Sequence, residues 1–239
     1  MGLNDPDKQL SKGSDKYQPK SWKGGDRMKK QSGFTLIELA IVLVIIGLLL
    51  GGVLKGQELI NSAKVKNMAT DFRNAQVQIY SYQDKFRALP GDDRAATNHV
   101  GASNNGNGDG VISGSWNATT GETFDYWQHV RLAGLATGPT ITTDATYLPT
   151  NAEGGRIGVQ SNPDKTIANL KGSYAICSAG ILGKFAKQLD TALDDGDTAG
   201  GNVMVASDVD GVNAATAVTS VGESPTISDS TKYTVCMAF

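Results

Sequence analysis

From Phe34 to Leu54 the chain runs 21 residues in which only Thr35 and Glu38 are neither apolar nor glycine. That length crosses a bilayer as a helix, so this segment constrains the fold more than any other. Two features mark its start. Lys29 and Lys30 stand just before it, and a lone acid, Glu38, lies inside it. A carboxylate in such a run costs roughly 2.5 to 3.5 kcal/mol on insertion scales and is therefore a functional candidate by default. An opposite charge on a partner, in the same apolar layer, would offset that cost.

The net charge of −2 conceals an asymmetry. Residues 1 to 33 carry eight Lys or Arg against four Asp, net +4, and the remainder carries fourteen against twenty, net −6. The basic arm is expected to stay cytoplasmic and the acidic body to be exported. An acidic body also argues against nucleic acid as a direct partner. The first 27 residues are polar and without apolar period, which reads as disorder. Met28, directly before Lys29-Lys30, is an alternative start to Met1.

The helical pattern continues past the membrane edge. Val65, Met68, Phe72, Ala75, Ile79, Tyr82 and Phe86 recur at intervals of three and four, one apolar stripe. The chain has no proline between Phe34 and Ala88, and Leu89-Pro90-Gly91 stops the run. One helix is predicted from Phe34 to about Ala88, about 80 Å at 1.5 Å per residue. Gly47, Gly51, Gly52 and Gly56 near the membrane exit suit close helix approach.

Beyond Gly91 the apolar runs shorten. Asn98–Thr120 reads as loop, Phe124–Leu135 as a short helix with Phe124, Trp127, His129, Val130 and Leu135 partly buried, and Ile181–Leu193 as a helix ended by Asp194-Asp195-Gly196-Asp197. Strands are predicted at Arg156–Val159, Tyr174–Cys177, Asn202–Ala206 and Tyr233–Phe239. Ser207–Asp229 reads as a turn-rich loop.

The segment Gly33-Phe34-Thr35-Leu36-Ile37-Glu38, with its basic flank and apolar helix, resembles the processing motif of type IV prepilins and type II secretion pseudopilins. The resemblance covers Lys29 to Pro90 well and the rest loosely. It implies cleavage between Gly33 and Phe34 by a prepilin peptidase and N-methylation of Phe34. It also implies pairing of Glu38 with the terminal amine of a neighbouring subunit. An assembly platform membrane protein and an ATPase are further implied partners, besides copies of the chain or related pilins. The implied fold is α+β, a long N-terminal helix on a small antiparallel sheet. The domains would be a cleaved leader (1–33), a transmembrane and assembly half-helix (34–55), an amphipathic half-helix (56–89) and an exported head (90–239). The protein would sit in the bacterial inner membrane before assembly and in a filament after it. Many pilins carry a proline in this helix, and this chain lacks it.

Cys177 and Cys236 are the two cysteines. In an exported domain a disulfide is expected over two buried thiols. It would close a loop of about 60 residues, roughly 4 kcal/mol in the chain-entropy account, and a C-terminal disulfide loop also resembles many pilins.

Asn105-Gly106-Asn107-Gly108-Asp109-Gly110-Val111 has the alternate oxygens and glycine turn of the first half of a calcium loop. Asn105, Asn107 and Asp109 would give side-chain oxygens and Val111 a carbonyl. Trp116 stands where a bidentate Glu belongs, so Glu122, Asp92 or Asp93 would have to supply the carboxylate. The competing reading is a plain Asn/Gly turn. A second acidic run, Asp208-Val209-Asp210-Gly211, is a weaker version of the same idea, and Asn117-Ala118-Thr119 fits a glycosylation acceptor. His99 and His129 have no metal spacing and are expected at the surface or half-buried. No nucleophile motif or phosphate loop occurs, so the chain reads as structural and not as an enzyme. Three functions stay open: a type IV pilus subunit, a type II secretion pseudopilin, and a membrane-tethered periplasmic hydrolase with a plain anchor helix.

Overall fold

The computed structural model describes residues 33–207, 209–219 and 226–239. The leader before Gly33 and Asp208 of the second acidic run lie outside the described residues. The chain divides into two compact units at Leu49/Leu50.

Helix α1 is Leu36–Phe86, and its residues through Leu49 belong to the first unit. Its apolar side chains there, such as Leu36, Ile37, Leu43, Val44 and Leu48, are all exposed, and the apolar run is long enough to cross a membrane. The helix is two residues shorter at each end than the sequence predicts. At the start, Thr35 is a capping residue and not a helical one. At the end, Arg87 adopts φ 55°, and this left-handed residue stops the helix before the proline is reached.

In the second unit the predicted stripe is the buried face of α1. Val65, Met68, Phe72, Ala75, Ile79 and Tyr82 are buried. Phe86 is half-buried and lies with its ring 5.3 Å from that of His99 and 4.6 Å from that of Tyr82. A one-turn helix α2 (Ala96–His99) is followed by α3 (Glu122–Leu132), β1 (Ile157–Ser161), β2 (Tyr174–Leu182), α4 (Gly183–Leu193), β3 (Val203–Ala206) and β4 (Lys232–Ala238). Among the described residues the strands form one antiparallel sheet in the order β1-β2-β4-β3.

Both faces of this sheet are covered. Ile176, Val205, Val235 and Met237 join the core that holds the α1 stripe. Their neighbours Ala175, Cys177, Met204 and Cys236 point into a second cluster with Ile167, Leu170 and Trp116. The alternation is the strand period of two, with apolar residues on both sides, which is why the strands read as short continuous runs.

Two boundaries differ for a physical reason. Strand β2 extends to Leu182 because Ile181 and Leu182 still pair with Tyr233 and Lys232 beyond a register shift. Gly180, at φ 71°, sits in that shift. Helix α4 therefore begins at Gly183 and not at Ile181. Helix α3 begins at Glu122 and ends at Leu132, earlier than predicted at both ends. His129 corrects a further expectation, since it is fully buried and not at the surface.

Candidate functional site

Residues Thr35 to Glu38 form a reciprocal cap on α1. The Glu38 backbone N–H donates to Thr35 Oγ1 at 3.3 Å. Glu38 Oε2 in turn accepts the Thr35 backbone N–H at 2.8 Å and the Thr35 hydroxyl at 2.8 Å. This is the capping box, Ser or Thr followed three residues later by Glu, and it satisfies two donors that a helix start leaves without partners. The signal is present in the sequence as Thr35 followed three residues later by Glu38. Gly33 and Phe34 precede the helix outside any regular secondary structure, both exposed, with Phe34 82% exposed. An exposed, non-helical bond before a capped helix is accessible to a peptidase. The carboxylate of Glu38 faces its own cap while no other chain is beside it.

The Asn105–Val111 segment is closed by acids from elsewhere in the chain. Asp92, nearly buried, accepts the N–H groups of Gly108 (2.6 Å) and Asp109 (3.1 Å) on Oδ1, and that of Gly110 (2.8 Å) on Oδ2. Glu122 accepts Asn107 N–H at 3.1 Å and Ser113 N–H at 2.8 Å. Asn107 Oδ1 and Asp109 Oδ1 each take the N–H two residues on, and Asn105 Oδ1 takes Thr97 N–H at 2.9 Å. The donor set drawn together here is therefore largely committed to backbone amides. Asp92 and Glu122, the carboxylates sought to complete the loop, do converge on it. Asp93 turns the other way, accepting from Tyr82 Oη (2.8 Å) and Ala95 N–H (2.9 Å) and meeting His99 Nδ1 at 2.7 Å. Burial raises the Asp93 carboxyl, but these hydrogen bonds outweigh it and hold the group below the usual carboxylate range.

Asn117 is half-buried, and its side-chain oxygen accepts from Ser115 Oγ at 2.5 Å. Cys177 and Cys236 are disulfide-bonded across the β2–β4 pair, where they are register partners.

Sequence reasoning missed one cluster. Asp190, Asp194 and Asp195 bring a carboxylate oxygen each to within 4.8 Å of one another. The helical spacing of Asp190 and Asp194, four residues apart at the end of a helix, was the signal that could have found it.

Residues 28–54 match the prokaryotic N-terminal methylation motif, the signature of type IV pilins and pseudopilins. No curated protein and no solved structure matches the chain. The motif supports a type IV pilin-like or pseudopilin protein of structural character, one that assembles with other pilins and is processed by a prepilin peptidase. The motif and the exposed apolar helix fit membrane anchoring before assembly.

Proposed function

We propose that this chain is the structural subunit of a type IV pilus or pilus-like filament, cut between Gly33 and Phe34 and polymerised through its N-terminal helix. The observation that carries this reading is the methylation motif lying on the first part of a helix, where the apolar side chains up to Leu54 are all exposed in a single chain. Sister helices can replace lipid around the same surface, so transfer from membrane to filament keeps the apolar area out of water. Glu38 then exchanges its Thr35 partner for the amine of an incoming subunit. Two charges in a low-dielectric layer attract far more strongly than in water. Removing one partner leaves the other buried and alone, which gives register its energetic weight.

The type II secretion pseudopilin is the second reading. The passage from α4 through Asp194–Gly201 into β3, which resembles the one common in pseudopilins, favours it, and the disulfide at the C-terminus favours the pilus.

Mass spectrometry of the mature N-terminus tests the processing step. A chain beginning at N-methylated Phe34 is expected, and an intact Gly33–Phe34 bond in native membranes leaves only the tethered-domain alternative. Deletion of the gene separates the two filaments. Loss of surface fibres supports the pilus, and loss of exported proteins from the medium with fibres intact supports the pseudopilin.

A further inference from the structure

We propose that the cavity between helices α1 and α3 binds a monovalent organic cation, an alkylammonium or guanidinium group on an apolar stem, with Asp71 as its counter-ion. The cavity has a volume of about 380 Å³, and its whole lining belongs to the second unit.

One wall is α1, where Asp71, Asn74 and Gln78 follow each other at intervals of three and four and so share a face. Asp71 is half-buried, and among the described residues its side chain makes no hydrogen bond and no ion pair. The helix itself offers no counter-ion. Asn67, Met68, Asn74 and Ala75 hold the positions three and four residues away, where a helical pair would form. The nearby bases are engaged elsewhere. Arg73 donates to the Ala192 carbonyl at 3.1 Å, and Lys64 pairs with Glu153 at 2.7 Å. A carboxylate drawn partly out of water without a partner is costly. Burial alone pushes the Asp71 carboxyl up to about 6.

The other walls decide which cation fits. Trp127, Leu135 and Pro149 give the cavity apolar surface, against which a methylene stem can lie. Arg131 is the other charged residue of the lining. Its guanidinium is committed to the carbonyls of Thr137 (3.2 Å), Pro139 (2.9 Å) and Tyr147 (2.6 Å), so it holds the α3 side together and does not neutralise Asp71. Its charge disfavours a divalent ion or a polyamine beside it. A single carboxylate also falls short of the six to eight oxygens that calcium takes. A monocation with an apolar stem meets both constraints. Its head pairs with Asp71, and its stem covers the apolar wall.

The same chemistry is available from a free amine or from a lysine of a second copy in the filament. Only the second source rests on the filament reading, and the first experiment needs no filament.

That experiment is a titration of the full chain in detergent with n-butylammonium chloride. The readout is the indole N–H resonance of Trp127, assigned by its loss in Trp127→Phe. A saturable shift below about 50 mM is expected at pH 7.5. Uncharged 1-butanol is expected to bind about tenfold more weakly or less. Affinity for the cation should fall about tenfold between pH 7.5 and pH 5, as the Asp71 carboxyl takes up its proton. Asp71→Asn removes an unpaired charge, so it should fold with a Tm no lower than the parent and should lose both the preference for the cation and the pH dependence. The proposal is overturned if the parent shows no saturable shift, if butanol binds as tightly as butylammonium, or if Asp71→Asn responds as the parent does; the carboxylate is then merely hydrated. The source is read from filaments treated with a water-soluble carbodiimide, which joins a carboxylate to an amine in contact with it. An Asp71–lysine link between copies, absent in Asp71→Asn, assigns the site to a neighbouring subunit. A saturable shift without that link assigns it to a free amine.

Discussion

The backbone N–H of Gly91 donates to Nδ1 of His129 at 2.9 Å. This contact fixes the imidazole tautomer. Nδ1 must accept, so Nε2 carries the proton and donates to the Asn104 carbonyl at 3.2 Å. The ring is buried where the end of α1, the loop after it and α3 converge, within 6.2 Å of the Tyr82 ring.

Acidification should therefore loosen the head through His129. Burial holds its imidazole below the ordinary 6.5, against the smaller influences of the Asn104 carbonyl and the charges of Asp125 and Asp93. The folded chain binds this proton less tightly than the unfolded chain. The group's contribution to stability is thus complete above pH 6.5 and lost progressively as the pH falls below it, at up to about 1.4 kcal/mol per pH unit. Urea unfolding between pH 8 and pH 5 measures the slope. His129→Gln should be less stable than the parent at pH 8 by about 1 to 2 kcal/mol, because Gly91 N–H loses its acceptor, and its slope through this range should be flatter. An unchanged slope would mean that another group carries the acid sensitivity.

Gly91 should tolerate no side chain. Its φ is 90°, and a Cβ built there would overlap the Glu122 carbonyl oxygen. Gly91→Ala combines left-handed strain with a clash against backbone and should cost about 2 kcal/mol or more. Comparing denaturation midpoints of the two chains checks this, and a loss within about 0.5 kcal/mol, the range of ordinary surface substitutions, would show that the turn relaxes.

The Cys177–Cys236 bond ties two interior strands, so its removal should act on the whole second unit. Cys177→Ser with Cys236→Ser should lower stability by about 2 to 5 kcal/mol. The expected readout is a single thermal transition that shifts down as one step, matched by the parent in reducing agent. A shift confined to the last residues, with the rest melting as before, would show that the bond is peripheral.

Thr35 and Glu38 separate capping from assembly. Thr35→Val removes the hydroxyl that both accepts and donates in the cap, and should cost about 1 kcal/mol of helix stability while filaments still form. Glu38→Ala removes the cap and also the charge, and should block assembly. Shear-released filament yield from the two strains distinguishes them. Equal yields from Glu38→Ala and the parent would sink the pairing role.

Much of this fold could be read from the chain because its signals are local and periodic. The stripe from Val65 to Tyr82 appears in the structure as the buried face of α1, and all four predicted strands overlap the observed ones. What escaped depends on contacts distant in sequence. His129 looks like a surface residue until Gly91, 38 positions away, arrives to hydrogen-bond it. Asp92 and Glu122 were candidates to complete the Asn/Gly loop, but that they hold it through its backbone amides is visible only in three dimensions. The Asp190 cluster was hidden for another reason. Asp194, Asp195 and Asp197 read well as a helix stop, and nothing in the local pattern reveals that Asp190 lies on the covered side of α4.

Strand β4 is the last element of the chain, yet it occupies an inner place in the sheet, between β2 and β3. Among the described residues strand β3 has no other partner strand in the sheet, and it cannot make that pairing until Lys232–Ala238 has been synthesised. A ribosome-arrested chain lacking Lys232–Ala238 should leave β3 unpaired and the second cysteine absent. Completion of the sheet thereby waits on Lys232–Ala238, and products truncated before that strand are left open to proteolysis.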